Sequence, residues 1–514
     1  MERPLILTVS AGFILSLFQI VSYDVWWHIA SGRWMVENLG FPFKDPFSFT
    51  TAGAKWVFHN WLFDLPLFAV HQISGVDGLV VFRAILVALF SASLYFLFRL
   101  KVPAWQSALL AIAVIASLRL RFFLRPILAS DILFVLVLFQ LVRLYGRERL
   151  SMSVRDLYKV PLLIFFWSNL HAGVVFGLIT AGTFLLSSIV ERRNWKPFAA
   201  LFGASFIAGL VNPNHIHIYL YSFRYLLFKK EVAFLNAEHA PPPLPWELPQ
   251  LTIYWLVIFA AMVLIFARAR KAPPYAVMLV AGFGYLGLTS FRGMEPFCIV
   301  SLFTVVTLWQ NRIENIRLKQ VVYLAIMAIV SIAAVYSQPL DTGRGIAMDR
   351  IPVSAVDFIE KVPMEGEMFN SHPFGGYLIY RLYPSRKVFI DGRDLLHANT
   401  IRRLEDFGYA KMLDLYKVEW VIAGYRDAVL KNLPMEEWSV VYFDDISVIL
   451  ARRGGRNSGV IEKYGYRQIT PFNLEEKVSA SSGAEREEVK NELERAVNSS
   501  RQTSGLGTYL ERLR

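Results

Sequence analysis

The chain has 514 residues, 55% of them hydrophobic, and 53 Lys and Arg against 41 Asp and Glu give it a net charge of +12. That apolar share exceeds the ~45–50% of soluble domains and falls in repeated runs near membrane-spanning length, which excludes a wholly soluble protein. The positive balance does not imply nucleic-acid binding, because much of it sits in short loops between apolar runs, where it sets topology; the single cysteine, Cys298, leaves no disulfide within the chain.

Taken in order, apolar runs fall at about 3–22, 77–99, 105–120, 127–145, 159–170, 172–190, 196–212, 250–268, 274–290, 295–310 and 319–337. Most approach the ~17–25 residues that a spanning helix needs. The pattern predicts an α-helical polytopic membrane domain over 1–337 with about 11 spans. The first run lacks a small-residue cleavage site and is read as a retained helix rather than a signal peptide. The run 159–170 is short, with a break at Asn169, Leu170, His171, Ala172 and Gly173.

Between the first two runs lies a long loop, 23–76, holding Asp24, His28, Asp45, His59 and Asp64. Its Trp26, Trp27, Trp34, Trp56 and Trp61 suit a membrane interface, where indole rings concentrate. Residues 61–73 read as an interfacial helix. Asp24 stands where a membrane helix meets water, and a carboxylate there must be hydrated, paired or used. Asp24 and His28 are four apart, on one face of a helix. Such a pair serves acid–base chemistry, metal binding or plain hydrogen bonding, and the spacing alone does not choose among them.

Basic clusters fix the orientation. Arg99 with Lys101, the group Arg143, Arg147, Arg149, Arg155 and Lys159, Arg192 with Arg193, Arg268 with Arg270, and Arg312 with Arg317 all land on one side if every run crosses. That side is cytoplasmic, which puts the N-terminus inside and everything after 337 outside. Two outer turns break the rule, one with Arg119, Arg121 and Arg125, the other with Arg292, and Lys229 and Lys230 add to the loop 213–249. Outer-side cations near the acyl boundary suit a lipid phosphate or pyrophosphate. In the same loop Glu238 and His239 precede Pro241, Pro242 and Pro243, an extended stretch placed to act as a gate.

After 337 the pattern becomes mixed. A small external α/β domain is expected over 338–453, with helices at 353–361 and 376–382, strands at 367–370, 387–391 and 419–423, and a hairpin of 438–443 with 447–452 turning at Asp444 and Asp445. His372, Arg381, Asp391, Arg393 and Asp394 gather near strand ends; the pair Asp391 and Arg393 reads first as an internal brace of a turn. The stretch 454–514, Gly- and Ser-rich and then charged, is expected to be largely disordered or helical only in a complex.

No metal-ligand spacing such as HExxH or paired CxxC occurs, and no Gly-rich phosphate loop. A sugar donor would have to bring its own activation, as a lipid-linked phosphate does.

The order of features resembles the GT-C superfamily, polytopic glycosyltransferases that use polyprenyl-phosphate sugars. An acidic residue directly after the first span, an amphipathic helix, a proline-containing segment, an interfacial helix and a second span match Asp24, residues 27–38, Phe41 with Pro42, residues 59–73, and residues 78–101 with Arg83. The chain is also similar to a bacterial group of GT-C-like proteins with a D-x-W-W-H-I-x-x-G opening, an N-L-H-A/G-G break and a G-G-Y-L-I-x-x-L-Y-P-x-x-K-V-F-I-D-G-R segment, standing here at 24–32, 169–173 and 375–393. It departs in two places: Val25 follows Asp24 where a second acid is usual, and Phe58, His59 and Asn60 replace a Lys-Pro-Pro whose lysine contacts phosphate.

The resemblance implies sugar transfer from a polyprenyl-phosphate donor to an extracytoplasmic lipid, glycan or protein acceptor, at a bacterial inner membrane. Asp24 takes the place of the base, assisted by His28. Arg119, Arg121, Arg125 and Arg292 hold the donor phosphate, and His59, Asp64, Glu238 and His239 stand on the acceptor or gate side. A divalent cation is kept open as a cofactor, with no metal ligand assigned. The rival reading is a non-catalytic GT-C-like scaffold that binds lipid, which the missing second acid favours.

Overall fold

The computed structural model describes residues 2–146, 157–227, 237–336, 340, 342–501 and 503–513. The chain forms two compact units, each built from two stretches of sequence: Met1–Ile20 with Val57–Gly345, and Val21–Trp56 with Ile346–Arg514.

The first unit is helical. Each of the expected apolar runs carries a helix. Four, Trp61–Arg99, Ile127–Tyr145, Pro249–Phe266 and Phe291–Glu314, are long and apolar enough to cross a membrane. The others, such as Arg3–Leu15, Ala104–Ser117 and Val174–Val190, are apolar but of 10–17 residues. Trp61–Arg99 is two helices joined at Gly75, whose φ of 59° and ψ of −153° only a residue without Cβ adopts at low cost. The joint separates the expected interfacial stretch from the span that follows. Lys159–Leu170 ends at His171, which is extended (φ −165°, ψ 146°), and Val174–Val190 starts three residues later. The break therefore turns the chain and exposes a histidine and backbone polar groups inside an otherwise apolar bundle.

Two arginines close the first helix from within the unit. Arg83 donates to the carbonyls of Ser16 (3.1 Å), Phe18 and Gln19 (3.3 Å), and its guanidinium lies 3.6 Å over the Phe18 ring. Arg119 donates to the carbonyl of Leu15 at 3.0 Å. These carbonyls lie at or just past the helix end, where only that of Ser16 takes a backbone N–H among the described residues (from Phe18, 3.1 Å), and a cation there also meets the negative pole of the helix.

The second unit centres on a four-stranded mixed sheet of β1 (Glu367–Asn370), β2 (Val418–Gly424), β3 (Trp438–Phe443) and β4 (Ser447–Arg452), in the order β1-β2-β4-β3. β1 and β2 are parallel, and β4 runs antiparallel to β2 and β3. The β3–β4 turn is held by Asp444, whose Oδ1 accepts from the N–H of Ile446 (3.0 Å) and Ser447 (2.8 Å).

Three expectations are corrected here. Residues 387–391 form no strand. Val388 instead exchanges backbone hydrogen bonds with Phe47 and Phe49 of the first loop, and Asn370 Oδ1 takes the N–H of Phe389. Trp26, Trp27 and Trp56 are not interface anchors but core residues, 0%, 6% and 7% exposed. The Val25–Asn38 helix packs on the Gly375–Leu382 helix, with Trp26 edge-on to Tyr377 at 5.0 Å. Finally, the stretch 454–514 is ordered as four helices. Val489, Leu493, Leu506, Leu510 and Leu513 belong to the same core as Val421 and Leu450 of the sheet, and their periodic apolar spacing supplies the driving force that the charged composition concealed.

Candidate functional site

In the first unit, the break at His171 opens a cavity of about 130 Å3. Its walls come from the ends of several helices: Ser130 and Asp131, Trp167 and His171, Tyr221 and Ser222, and His239, Ser290 and Arg292. His171 Nδ1 lies 2.9 Å from Ser130 Oγ, which also accepts from the Trp167 indole at 2.5 Å. The His59 ring sits 4.7 Å from the Tyr221 ring and 6.0 Å from that of His171. Burial drives the His59 pKa down to about 4, helped by the charge of Arg292, so the imidazole is a neutral hydrogen-bonding group at physiological pH.

Beside the cavity stands a cluster of charges. Glu238 Oε1 accepts from Arg125 at 2.6 Å and from Arg121 at 3.4 Å, and its Oε2 accepts from Arg292 Nε at 3.0 Å. Arg121 Nε also donates to Glu295 Oε1 at 2.5 Å. Burial alone would raise the Glu238 carboxyl; Arg125, Arg121 and Arg292 instead hold it well below the usual carboxylate range. The backbone of this turn is pinned, since Ser290 Oγ donates to the Glu238 carbonyl (3.2 Å) and Phe291 N–H to that of Ala240 (2.8 Å). Arg292 belongs to both the cluster and the cavity wall.

Of the residues assigned to phosphate, Arg121, Arg125 and Arg292 thus converge, and Arg119 does not: its guanidinium serves the carbonyls of Leu15 and Ala334. Of the acceptor-side set, His59 and His239 line the cavity, and Glu238 lies among the arginines. Asp64 is fully buried in the first turn of its helix and is not in the cavity wall. Lys229 and Lys230 lie outside the described residues. The reading of residue types gave no role to Ser130, His171, Tyr221 or Glu295. The Asn-Leu-His-Ala-Gly interruption was the available signal for His171, and a lone acid three residues after Arg292 was the signal for Glu295.

In the second unit, Asp24 stands at the N-terminal boundary of the Val25–Asn38 helix, and its Oδ1 accepts from the Trp27 indole N–H at 3.3 Å. His28, 2% exposed, stacks on Trp27 with ring centroids 3.6 Å apart. The carboxylate lies against the backbone of Gly392, where a Cβ would come within 2.2 Å of Oδ1. Near it, His372 Nε2 bonds Asp394 Oδ1 at 3.1 Å. Burial would lower the His372 pKa, but Asp394, with Asp391 and Asp24, raises it above the ordinary histidine value.

Behind this edge is a buried ionic network. Arg393 grips Asp391 with two bonds (2.7 and 2.6 Å) and Asp45 with a third (2.7 Å), and His397 Nε2 lies 3.0 Å from Asp391 Oδ2. Asp391 and Arg393 do brace a turn, with a second acid recruited from the first loop. Asp391 is held well below the carboxylate range: burial pushes it up, and Arg393 and His397 outweigh that.

Among the described residues no group of three or more His, Cys, Asp or Glu side chains gathers where it could hold a metal ion. The divalent cation left open from the sequence finds no donor set among these residues.

No protein-family model matches the chain. No curated protein matches it either. Solved structures do. The oligosaccharyltransferase AglB from Archaeoglobus fulgidus, in complex with an inhibitory peptide and a dolichol-phosphate, matches 82% of this chain and 69% of its own at 12% identity, with a TM-score of 0.59. At that identity the match shows a shared fold. An Archaeoglobus fulgidus oligosaccharyltransferase structure with Zn and sulfate matches 88% of this chain and 73% of its own at 13% identity (TM-score 0.56), and its apo form 88% and 75% at 12% (TM-score 0.54). Among the described residues four helices have the length and apolarity to cross a membrane, and together with this shared fold they make the chain a membrane protein.

Proposed function

We propose that the protein is a membrane glycosyltransferase that moves a sugar from a polyprenyl-phosphate donor to an extracytoplasmic acceptor. The observation that carries this reading is the cluster of Arg121, Arg125 and Arg292 beside a largely apolar cavity edged by His59, His171 and His239, in a chain with the GT-C fold. An arginine fork matches phosphate geometry and keeps its charge when desolvated, which is what a leaving phosphate requires. The fold's solved example bound to dolichol-phosphate supports a lipid-linked donor for this chain.

In this reading Asp24 is the base, half-buried against Gly392. It takes the proton of the acceptor hydroxyl as the acceptor oxygen bonds the anomeric carbon. The bond from that carbon to the phosphate oxygen breaks, and its electron pair leaves with the phosphate. His28 acts through Trp27: stacked beneath it, it fixes the indole that donates to Asp24. Eleven crossings, a cytoplasmic N-terminus and an external second unit in a bacterial inner membrane complete the proposal.

Sugar transfer from lipid donors by membranes carrying Asp24→Asn tests it. General-base catalysis is worth about 10²–10⁴-fold, so turnover should fall by at least about 100-fold. Turnover equal to the native protein's removes Asp24 from the mechanism. A lipid-binding scaffold is the second reading, favoured by Val25 at the position of a second acid; it predicts co-purifying lipid phosphate and no transfer by the native protein.

A further inference from the structure

Three guanidinium groups pointed at one carboxylate are an anion seat that is already taken. We propose that Glu238 is a resident stand-in for the donor's phosphate, and that the phosphate binds by exchanging with the Glu238 side chain on Arg125 and Arg292. This inference rests on the reading of the arginines given above and adds the regulation of that site.

Four observations support the exchange. Glu238 spreads both carboxylate oxygens over the cluster, Oε1 to Arg121 and Arg125, Oε2 to Arg292, as two oxygens of a phosphate would. The backbone around it is fixed by Ser290 Oγ and Phe291 N–H, so releasing the arginines requires only rotation of the glutamate side chain. Arg292 faces the cavity as well as Glu238, which gives an entering anion a first contact before the carboxylate leaves. Arg121 has Glu295 at 2.5 Å and stays neutralised throughout, so the exchange concerns the other two cations.

The electrostatic logic follows. Arg125 and Arg292 are only partly exposed, so leaving both without an anion is unfavourable, and Glu238 offsets that cost when no ligand is present. The same carboxylate competes with any ligand, so affinity for phosphate is set by the difference between two anions on one seat. A neutral or weakly acidic group competes poorly for a half-buried seat where a carboxylate is held by three arginines, which filters ligands by charge.

The test is binding to the purified full-length protein in an uncharged detergent, with dodecyl phosphate and inorganic phosphate as probes and dodecyl maltoside as the uncharged control. Glu238→Gln should bind dodecyl phosphate about tenfold more tightly than the native protein, a change of about 1.4 kcal/mol. Glu238→Gln combined with Arg292→Gln should lose that gain. If Glu238→Gln does not fold, Glu238→Asp carries the test: its carboxylate is retracted by one methylene, and its affinity should still exceed the native value. Equal or weaker binding by the folded Gln variant, or by the Asp variant in its place, overturns the proposal. A gain seen with dodecyl phosphate alone assigns the seat to a lipid-linked phosphate, and an equal gain with inorganic phosphate assigns it to a free one. Because binding is read without turnover, absence of sugar transfer by the native protein would sink the glycosyltransferase reading and leave this one standing.

Discussion

Asp24 is shaped by residues that are remote in sequence. The first loop supplies the carboxylate and Trp27, whereas His372, Gly392 and Asp394 come from beyond residue 370. The sequence marked Asp24 by its place at a helix exit, and the pair Asp391–Arg393 by its spacing. It gave no hint that Asp45 would join them across 348 positions. The same blindness applied to Glu238, singled out as a gate residue because it precedes three prolines, when its partners lie 113 and 117 residues away. The acids and the histidine of the second unit push its stability in opposite directions with pH. Asp391 and Asp45 have lowered pKa values, so their stabilisation is present above the ordinary carboxylate range and is lost as pH falls. His372 is raised, so its stabilisation is complete below the unfolded histidine value and is lost as pH rises through the folded one. Hydrogen exchange of β2 and β4 in the full-length protein should therefore quicken on both sides of a protected window. His372→Gln should flatten the alkaline side and leave the acid side as it is.

Elements were more legible than contacts. Helices over the apolar runs, the break at His171 and the β3–β4 hairpin all follow from local pattern and turn chemistry. The stretch 387–391 was misjudged because an alternating apolar run looks the same whether its partner is a ladder strand or a loop; here Phe47 and Phe49 take the place of a strand. Packing of the Val25–Asn38 helix depends on two glycines of the Gly375–Leu382 region and its neighbour. At Gly376 a Cβ would meet the Tyr23 carbonyl at 2.5 Å, and at Gly392 it would meet the Asp24 carboxylate at 2.2 Å. Backbone cannot yield as a side chain can, so the two alanine variants should separate. Gly376→Ala should lower the melting temperature of the purified protein by several degrees, an overpacking cost of about 1–3 kcal/mol. Gly392→Ala should melt close to the native temperature and lose sugar transfer, because what it displaces is the carboxylate proposed as the base. Identical behaviour of the two in both assays would refute the assignment.

At the level of the molecule, the unexpected feature is the second unit's make-up. Composition alone suggested a membrane domain, a small α/β domain and a loose tail, since hydropathy averages report neither the partner of the first loop nor the amphipathic stripe hidden in a charged helix. The structure instead joins Val21–Trp56 to Ile346–Arg514 and draws Leu493 and Leu510 of the tail into the sheet's core. Deleting residues 454–514 should therefore expose that core. The shortened protein is expected to aggregate or be proteolysed where a disordered tail would have been removed without effect, as size exclusion and limited proteolysis will show. The join also dictates an order of events during biosynthesis. Asp45 leaves the ribosome long before Arg393, its ion partner, and elongation at about 5–20 residues per second makes that interval tens of seconds. For all that time the first loop is an orphan, with tryptophans and an acid it cannot yet shelter. Maturation must wait for the last stretch of message to be read, so a ribosome that stalls late leaves a nearly whole polypeptide with an unfinished second unit and an unshielded Asp45.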